Sequence, residues 1–274
     1  MKPICVAALI VLSGMMLVGL PHVHAAAPAT GTIVGHVRLT SPSPGNPIIR
    51  MGMDPMCAQL NAGARPIQAI VLRAADGGLA NVLVDLKGTF PASTPPAQAV
   101  TVEQQKCIYT PRVVGARVGQ TLRIKNDDAV LHNVHSTSTA GNDFNFSQPT
   151  AGMTRDITLK GPDVMLHLKC DIHSWMVTYV AVESHPYFDV SGNDGSFTIN
   201  NVPAGPHAVR AWHERYGELT RMVNVQAGKR VTLDLVYTGK ESPNRARVQD
   251  LDLNTGSWGA VAELRLLYPT ALLQ

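Results

Sequence analysis

The short loop at residues 170–176 is the feature that most constrains how this chain can fold. Cys170, His173 and Met176 place a thiol, an imidazole and a thioether in that one loop. His132 adds a second imidazole from a distant segment. Thiolate and thioether groups favour Cu(I), whereas imidazole suits both common oxidation states of copper. Two segments can hold one ion only on a rigid framework, so the pattern predicts a copper site on a scaffold that fixes both segments.

Two alternative interpretations of this motif are open. The Cys-x2-His spacing also occurs at zinc sites, although Met176 is not a usual zinc ligand. A metal-free core with buried Cys170 and Met176 and incidental histidines is the other alternative. His135 is left out of the predicted ligand set, because its odd spacing from His132 directs it to the opposite face of a strand.

The His132-Asn133 pair and the 170–176 loop together resemble the cupredoxins over residues 98–184. The loop is most similar to that of amicyanin, and Asn133 after the first histidine is similar to plastocyanin. The resemblance implies a Greek-key β-sandwich with one type-1 copper that cycles between Cu(II) and Cu(I). It also implies that Asn133 hydrogen-bonds across to the loop, and a turn-forming asparagine is the alternative role. The implied copper ligands are His132, Cys170, His173 and Met176.

The same resemblance implies redox proteins as partners. Similarity to amicyanin suggests methylamine utilisation, with a methylamine-type dehydrogenase as electron donor and a c-type cytochrome as acceptor. Trp175, between two of the implied ligands, would shield the copper or form part of an apolar docking surface. Ordinary packing is the alternative role for Trp175.

The N-terminus indicates export. Lys2 precedes an apolar stretch at 4–20, and small residues end at Ala25, which is the pattern of a secretory signal. We predict a signal peptide at 1–25 and a periplasmic or secreted protein without stable membrane insertion after cleavage. A retained N-terminal anchor is the alternative.

Cysteine counting adds a disulfide to this prediction. After cleavage three cysteines are left, Cys57, Cys107 and Cys170. An odd count in an exported protein requires a free thiol or an intermolecular bond. The simplest solution is a Cys57–Cys107 disulfide, which an oxidising compartment permits. Cys170 is then held as a metal thiolate, protected by the metal it binds.

The rest of the chain favours strands almost throughout. Apolar and β-branched residues alternate with period two, separated by turns rich in Gly, Pro, Asn and Asp. No amphipathic helix is evident, so we predict an all-β fold built from sandwiches. The predicted strands are 32–39, 68–73, 81–86, 121–125, 130–135, 155–159, 164–169, 176–182, 196–199, 208–212, 222–225 and 230–236.

A second module is predicted after the cupredoxin-like segment. The series Asn-Asp-Gly-Ser-Phe at 193–197 and Asn-Val-Pro-Ala-Gly at 201–205 resembles the carboxypeptidase regulatory-like domain. That resemblance implies a small transthyretin-like or Ig-like sandwich. Such a domain would normally begin with strands like 31–39 and 78–87, which here precede the cupredoxin-like segment.

The predicted domain order leaves two arrangements open. We expect an N-terminal β segment at 26–97, a cupredoxin domain at 98–184, a regulatory-like domain at 185–239 and a C-terminal tail at 240–274. In one arrangement the cupredoxin domain is inserted into the other sandwich, and 26–97 supplies that sandwich's first strands. In the other, two domains follow one another and 26–97 is an irregular arm.

Two smaller features carry further predictions. Met51, Met53 and Met56 either form a Cu(I)-binding segment or pack flexible side chains against a sandwich. Asp127 and Asp128 are predicted to be solvated residues of a strand-end turn.

Several classes of function compete. We favour an exported electron carrier, with a periplasmic copper storage or delivery protein as the alternative. A multicopper enzyme needs further histidines, commonly in His-x-His pairs, and the predicted mature chain has no such pair, so we expect no enzyme activity. A purely structural sandwich with a degenerate site is a further alternative. After cleavage 22 basic and 20 acidic residues are left, which gives no strong field for binding nucleic acid.

Overall fold

The computed structural model describes residues 29–241, and this part of the chain is almost entirely β. The all-β prediction is therefore confirmed. The predicted signal peptide and nearly all of the predicted tail lie outside the described residues. Within them, no helix is long and apolar enough to cross a membrane.

Seventeen strands and one short helix make up the described part of the chain. In chain order the elements are β1 (Thr30–Leu39), α1 (Pro55–Leu60), β2 (Leu83–Lys87), β3 (Val100–Gln105), β4 (Ile108–Thr110), β5 (Val113–Arg117), β6 (Thr121–Asn126), β7 (His132–Ser136), β8 (Phe144–Gln148), β9 (Thr154–Thr158), β10 (Asp163–Lys169), β11 (Val177–Glu183), β12 (Phe188–Val190), β13 (Ser196–Pro203), β14 (Gly205–His213), β15 (Gly217–Val225), β16 (Arg230–Thr232) and β17 (Leu235–Tyr237).

Strands β3 to β11 form one sandwich, which we name the central sandwich. One sheet has the order β5-β11-β10-β7-β8 and the other the order β4-β3-β6-β9. Val102 and Leu122 from the second sheet pack against Val134, Leu168 and Val180 from the first. Burial of these branched side chains between two sheets is the main stabilising term of such a fold.

The remaining strands form a second unit, the flanking sandwich. Its sheets have the orders β13-β1-β16, with β17 also on β1, and β12-β2-β14-β15. β1 pairs antiparallel with β13 and parallel with β16 and β17, so strands from before and after the central sandwich share a sheet. The burial of β1 alternates strictly along its length, because one face covers the core and the other faces outward.

Strand β11 is the element that joins the two sandwiches, because both of its faces are buried. Val180 and Val182 point into the core of the central sandwich. Tyr179 and Ala181, on the other face, pack with Trp212 of the flanking sandwich. The continuous apolar run of β11 therefore packs against both units and fixes the central sandwich, which carries the predicted copper ligands, relative to the flanking sandwich.

Two local predictions are wrong. Residues 68–73 form no strand, and this stretch is held by isolated bridges such as Arg73 to Leu79. A helix, α1, forms where none was evident. Asp54 caps it by accepting hydrogen bonds from the backbone N–H groups of Met56 and Cys57, both at 2.9 Å, and a proline occupies the first turn.

Candidate metal centre

The predicted ligands converge at one end of the central sandwich. His132 begins β7, and Cys170 directly follows β10. These strands are antiparallel neighbours, with Lys169 opposite His135, so the start of one lies beside the end of the other. The loop between β10 and β11 then carries His173 and Met176 back to the same end.

Three donor atoms of these residues approach one point. The Nδ1 atoms of His132 and His173 are 3.1 Å apart, and Cys170 Sγ is 3.7 Å from His173 Nδ1. The side chains are at most 2% exposed. Two imidazole nitrogens and a thiolate that face one another out of water repel unless they share a proton or a cation. The donor set therefore fits a soft metal ion, with copper preferred over harder ions.

Met176 is also buried at this end of the core. Its backbone N–H donates to the carbonyl of His173 at 2.8 Å, and its own carbonyl accepts from the N–H of Cys170 at 3.1 Å. These bonds close the loop into a tight turn. The Met176 side chain is fully buried in the same core as Cys170.

Each histidine is fixed from its far side by a carboxylate. His132 Nε2 is 3.0 Å from Asp128 Oδ2, and His173 Nε2 is 2.9 Å from Asp54 Oδ2. When Nε2–H donates to a carboxylate, the Nδ1 lone pair is left for a metal, and the ring is held in one orientation. We infer this tautomer for both rings.

The environment of Asp128 differs from the sequence prediction of a solvated turn residue. Asp128 is buried and also accepts hydrogen bonds from the backbone N–H groups of Lys106 and Cys107, both at 2.7 Å. These two hydrogen bonds and the contact with His132 hold its carboxylate inside the protein. Asp127 does face outward and pairs with Lys125 at 2.7 Å.

Asp54 was missed entirely by the sequence analysis. It lies 119 residues from His173 and reaches it because α1 folds back over the end of the central sandwich. Its spacing to the ligands carries no local signal. Asp128, four residues before His132, could have been found as a carboxylate next to a candidate ligand.

The site favours a thiolate at neutral pH. Burial alone would raise the pKa of Cys170, but hydrogen bonds with His132 and His173 lower the pKa to about 6. Burial also opposes charge on the two imidazoles, yet their carboxylate partners and Cys170 raise the pKa of both histidines. A deprotonated Cys170 is the form that binds a metal.

Asn133 ties the two ligand-bearing segments together. Its backbone N–H donates to Cys170 Sγ at 3.4 Å, and its Oδ1 accepts from the N–H of Asp171 at 3.1 Å. The hydroxyl of Tyr109 donates to the Asn133 carbonyl at 2.6 Å. Hydrogen bonds to the sulfur and across the loop limit movement of the thiolate relative to β7.

Trp175 bridges the loop to the predicted disulfide. Its indole N–H donates to the carbonyl of Cys107 at 2.9 Å, and its ring centroid lies 5.1 Å from that of His173. The structure contains the Cys57–Cys107 disulfide, and Cys170 is left as a free buried cysteine. The disulfide attaches α1 to the hairpin between β3 and β4.

The methionine cluster does not converge on one point. Met51 is buried, and its sulfur accepts a hydrogen bond from Asn61 Nδ2 at 3.1 Å. Met53 is 95% exposed and Met56 is half exposed, on either side of Asp54. His135 turns away from the donors and pairs with Asp171 at 2.9 Å.

Among known proteins, this chain is similar to several solved structures. No family model matches the chain, and no curated protein matches it. A purple cupredoxin from Nitrosopumilus maritimus is 23% identical with a TM-score of 0.27, covering 30% of this chain and 98% of its own. A Cu(I)-state amicyanin variant is 23% identical with a TM-score of 0.28, covering 35% of this chain and 97% of its own. A copper-containing nitrite reductase from Thermus scotoductus SA-01 is 22% identical with a TM-score of 0.28, covering 37% of this chain and 25% of its own.

Proposed function

We propose that this chain is an exported type-1 copper protein that carries single electrons. The observation that supports this most directly is the approach of two buried Nδ1 atoms to 3.1 Å beside the Cys170 sulfur. The proposed ligands are His132, Cys170, His173 and Met176. Copper bound there would supply one-electron redox chemistry by alternating between Cu(II) and Cu(I).

The contribution of the protein is to keep the donors in place in both oxidation states. Asp128 and Asp54 hold the imidazole rings, and Asn133 holds the thiolate against β7. Burial of His132, Cys170 and His173 excludes water from the donors, so little solvent has to reorganise when the charge changes. A rigid, dry site of this kind is suited to electron transfer, and no substrate chemistry is proposed.

We propose redox proteins as partners, with a c-type cytochrome or a methylamine-type dehydrogenase as examples from the amicyanin resemblance. Leu131 and Ile172 are about half exposed, and each is adjacent in sequence to a proposed ligand. Exposed apolar residues near the metal would let a partner approach without displacing charged groups.

The test is the visible absorption and EPR spectrum of the Cu(II)-loaded full chain. We expect an intense thiolate-to-copper band with narrow hyperfine splitting. Cys170→Ser and His132→Gln should lose it. His135→Gln is the matched control, because His135 lies three residues from His132 but pairs with Asp171 outside the donor set. A colourless Cu(II) protein, or equal loss in both histidine variants, would refute the electron-carrier proposal.

A copper storage or delivery role is the second candidate. The exposed thioethers of Met53 and Met56 on either side of Asp54 favour it, since soft donors at the surface would help Cu(I) move in or out. Rapid transfer of bound Cu(I) to an acceptor chelator, slowed by Met53→Leu and Met56→Leu together, would support this role. A metal retained through many redox cycles would oppose it.

A further inference from the structure

The disulfide lies directly against the far sides of both proposed copper histidines. Cys57 Sγ is 3.6 Å from His173 Nε2, the same nitrogen that contacts Asp54 Oδ2 at 2.9 Å. Asp54, Cys57 and His173 each contribute one donor atom, and these three atoms lie within 4.8 Å of one another. The sulfur therefore belongs to a donor group separate from the Nδ1 side.

The second sulfur of the bridge has an equivalent environment. Donor atoms of Cys107, Asp128 and His132 also lie within 4.8 Å of one another, and all three residues are buried. The disulfide thus joins two groups, each with one sulfur, one carboxylate and one imidazole. While the bridge is intact its sulfurs are poor ligands, because the thiolate is the form that binds metals.

We propose that reduction of the Cys57–Cys107 disulfide opens a second site for Cu(I) on the outer side of the histidines. The ligands are the two thiolates and His173 Nε2, with Asp54 beside them. A dithiol reductant is oxidised to its own disulfide in this step. The Cys57–Cys107 bond breaks, its sulfurs take up two electrons and two protons as thiols, and metal binding releases the thiol protons to solvent. The Nε2 proton of His173 also leaves, to solvent when a first copper holds Nδ1 or to Nδ1 when that site is empty.

The spacing of the Cys57 and His173 donors already fits a metal. Bonds of about 2.3 Å to sulfur and about 2.0–2.1 Å to nitrogen separate neighbouring tetrahedral donors by roughly 3.5 Å. The distance from Cys57 Sγ to His173 Nε2 is already 3.6 Å. Breaking the disulfide bond frees the two sulfurs to separate and frees Cys107 to turn toward the same ion.

The charge around this group also favours a cation. In the described part of the chain, the ion-pair partners of Asp54 and Asp128 are His173 and His132, and no Lys or Arg side chain pairs with either carboxylate. Two thiolates and an imidazole are soft and borderline donors that select Cu(I). Asp54 has a side chain 26% exposed to solvent, and Met53 beside it is almost fully exposed, which gives an ion a route from solvent.

The test is Cu(I) stoichiometry of the full chain, measured anaerobically against a chromophoric Cu(I) chelator. The protein is compared with its disulfide intact and after reduction by a phosphine that is then removed. We expect one bound Cu(I) before reduction and two after it. A stoichiometry unchanged by reduction would overturn the proposal.

Two variants separate this proposal from the type-1 site on which the proposed function depends. Cys170→Ser should bind no tightly held Cu(I) before reduction and one after it, because only the first site uses that sulfur. The double variant Cys57→Ser/Cys107→Ser should bind one with or without reductant. Failure of the type-1 proposal would therefore leave the uptake by reduced Cys170→Ser intact.

A spectroscopic measurement excludes binding by an unfolded chain. X-ray absorption of Cu(I) in the reduced Cys170→Ser protein should show two sulfur ligands and one nitrogen, and His173→Gln in that background should remove the nitrogen. Two sulfurs alone, or equal uptake when the reduced protein is unfolded in urea, would mean that the thiols bind as an unorganised pair, and the proposal would be wrong.

Discussion

Two clusters that contain carboxylates and histidines lie at opposite ends of β11, and they differ in their other members. The copper-end cluster consists of Asp54, Asp128, His132, Cys170 and His173. The junction cluster consists of Asp85, Glu183, His185 and Arg210, where the two sandwiches meet. Both contain donors close enough together for a metal ion. Only the junction cluster, among the described residues, has a guanidinium within it.

Arg210 supplies a positive charge to the two carboxylates of the junction. Its Nε and Nη2 donate to the two oxygens of Asp85 at 2.8 and 2.7 Å, and Nη2 is 3.5 Å from Glu183 Oε1. The bidentate pair satisfies the buried carboxylate. Carboxylates and histidines therefore make a structural ion pair at the end of β11 where Arg210 joins them, and a candidate metal site at the end where Cys170 joins them.

The largest effect is expected from removing that cation. Arg210→Met should lower the free energy of unfolding at pH 8 by about 3–5 kcal/mol, because it removes the guanidinium that pairs with the buried carboxylates of Asp85 and Glu183. Urea unfolding measures the loss. Arg123→Met is the matched control, since Arg123 pairs with Asp156 on the exposed surface and should matter little.

Comparable unfolding curves for these two variants would show that the junction does not depend on Arg210. If a divalent cation restored the stability of Arg210→Met but not of Arg123→Met, the junction cluster would be able to bind a metal ion as well. Either result would contradict the conclusion that the junction cluster is an ion pair while the copper-end cluster is a candidate metal site.

The second-largest effect is a pH dependence of the stability that the junction cluster contributes. Burial, and next the charge of Asp85, raise the pKa of Glu183 to about 7 from the ordinary value of 4.5. The folded protein therefore binds this proton more tightly than the unfolded chain. The stability contributed by Glu183 is greatest below pH 4.5 and is lost as the pH rises to about 7.

Glu183→Gln should remove this dependence. We expect the variant to be more stable than the parent protein at pH 8, by no more than roughly 3 kcal/mol, with the difference disappearing towards pH 4.5. His185, whose pKa is lowered mainly by burial, contributes the opposite slope in both proteins, so the difference between their urea curves isolates Glu183. A difference that grew towards acid pH would contradict the assignment.

The sequence predicted those members of the copper-end cluster that lie close together along the chain. Cys170 and His173 share one loop, and the odd number of cysteines indicated which one is free. The contact between Asp54 and His173 spans 119 residues, and the pair of Arg210 with Asp85 spans 125. Both depend on how β1, α1 and β2 return to later strands, which no short pattern specifies.

The all-β class was predictable for a related reason. Period-two alternation in segments such as β1 is a local property of a strand with one buried face. Residues 68–73 also include apolar and β-branched side chains, but the only β-pairing of this segment is at isolated bridges. Composition cannot distinguish these cases, because the pairing partner decides between them.

The smallest effect concerns the carboxylates of the copper-end cluster. Asp128→Asn should lower the affinity for Cu(II) by about 10–100-fold, because it removes the charge that orients His132 through Nε2. Competition with a chromophoric chelator measures the change. Asp127→Asn is the control, because the neighbouring carboxylate has the same charge but faces outward to Lys125.

The relative losses decide what the carboxylate does. Equal losses in Asp127→Asn and Asp128→Asn would mean that net charge at this end of the sandwich sets the affinity, and the hydrogen bond to His132 would have no special role. If Asp128→Asn instead lowered only the free energy of unfolding and left affinity unchanged, Asp128 would act as Asp85 does at the junction. The contrast between the two clusters holds only if the loss at Asp128 is mainly one of metal affinity.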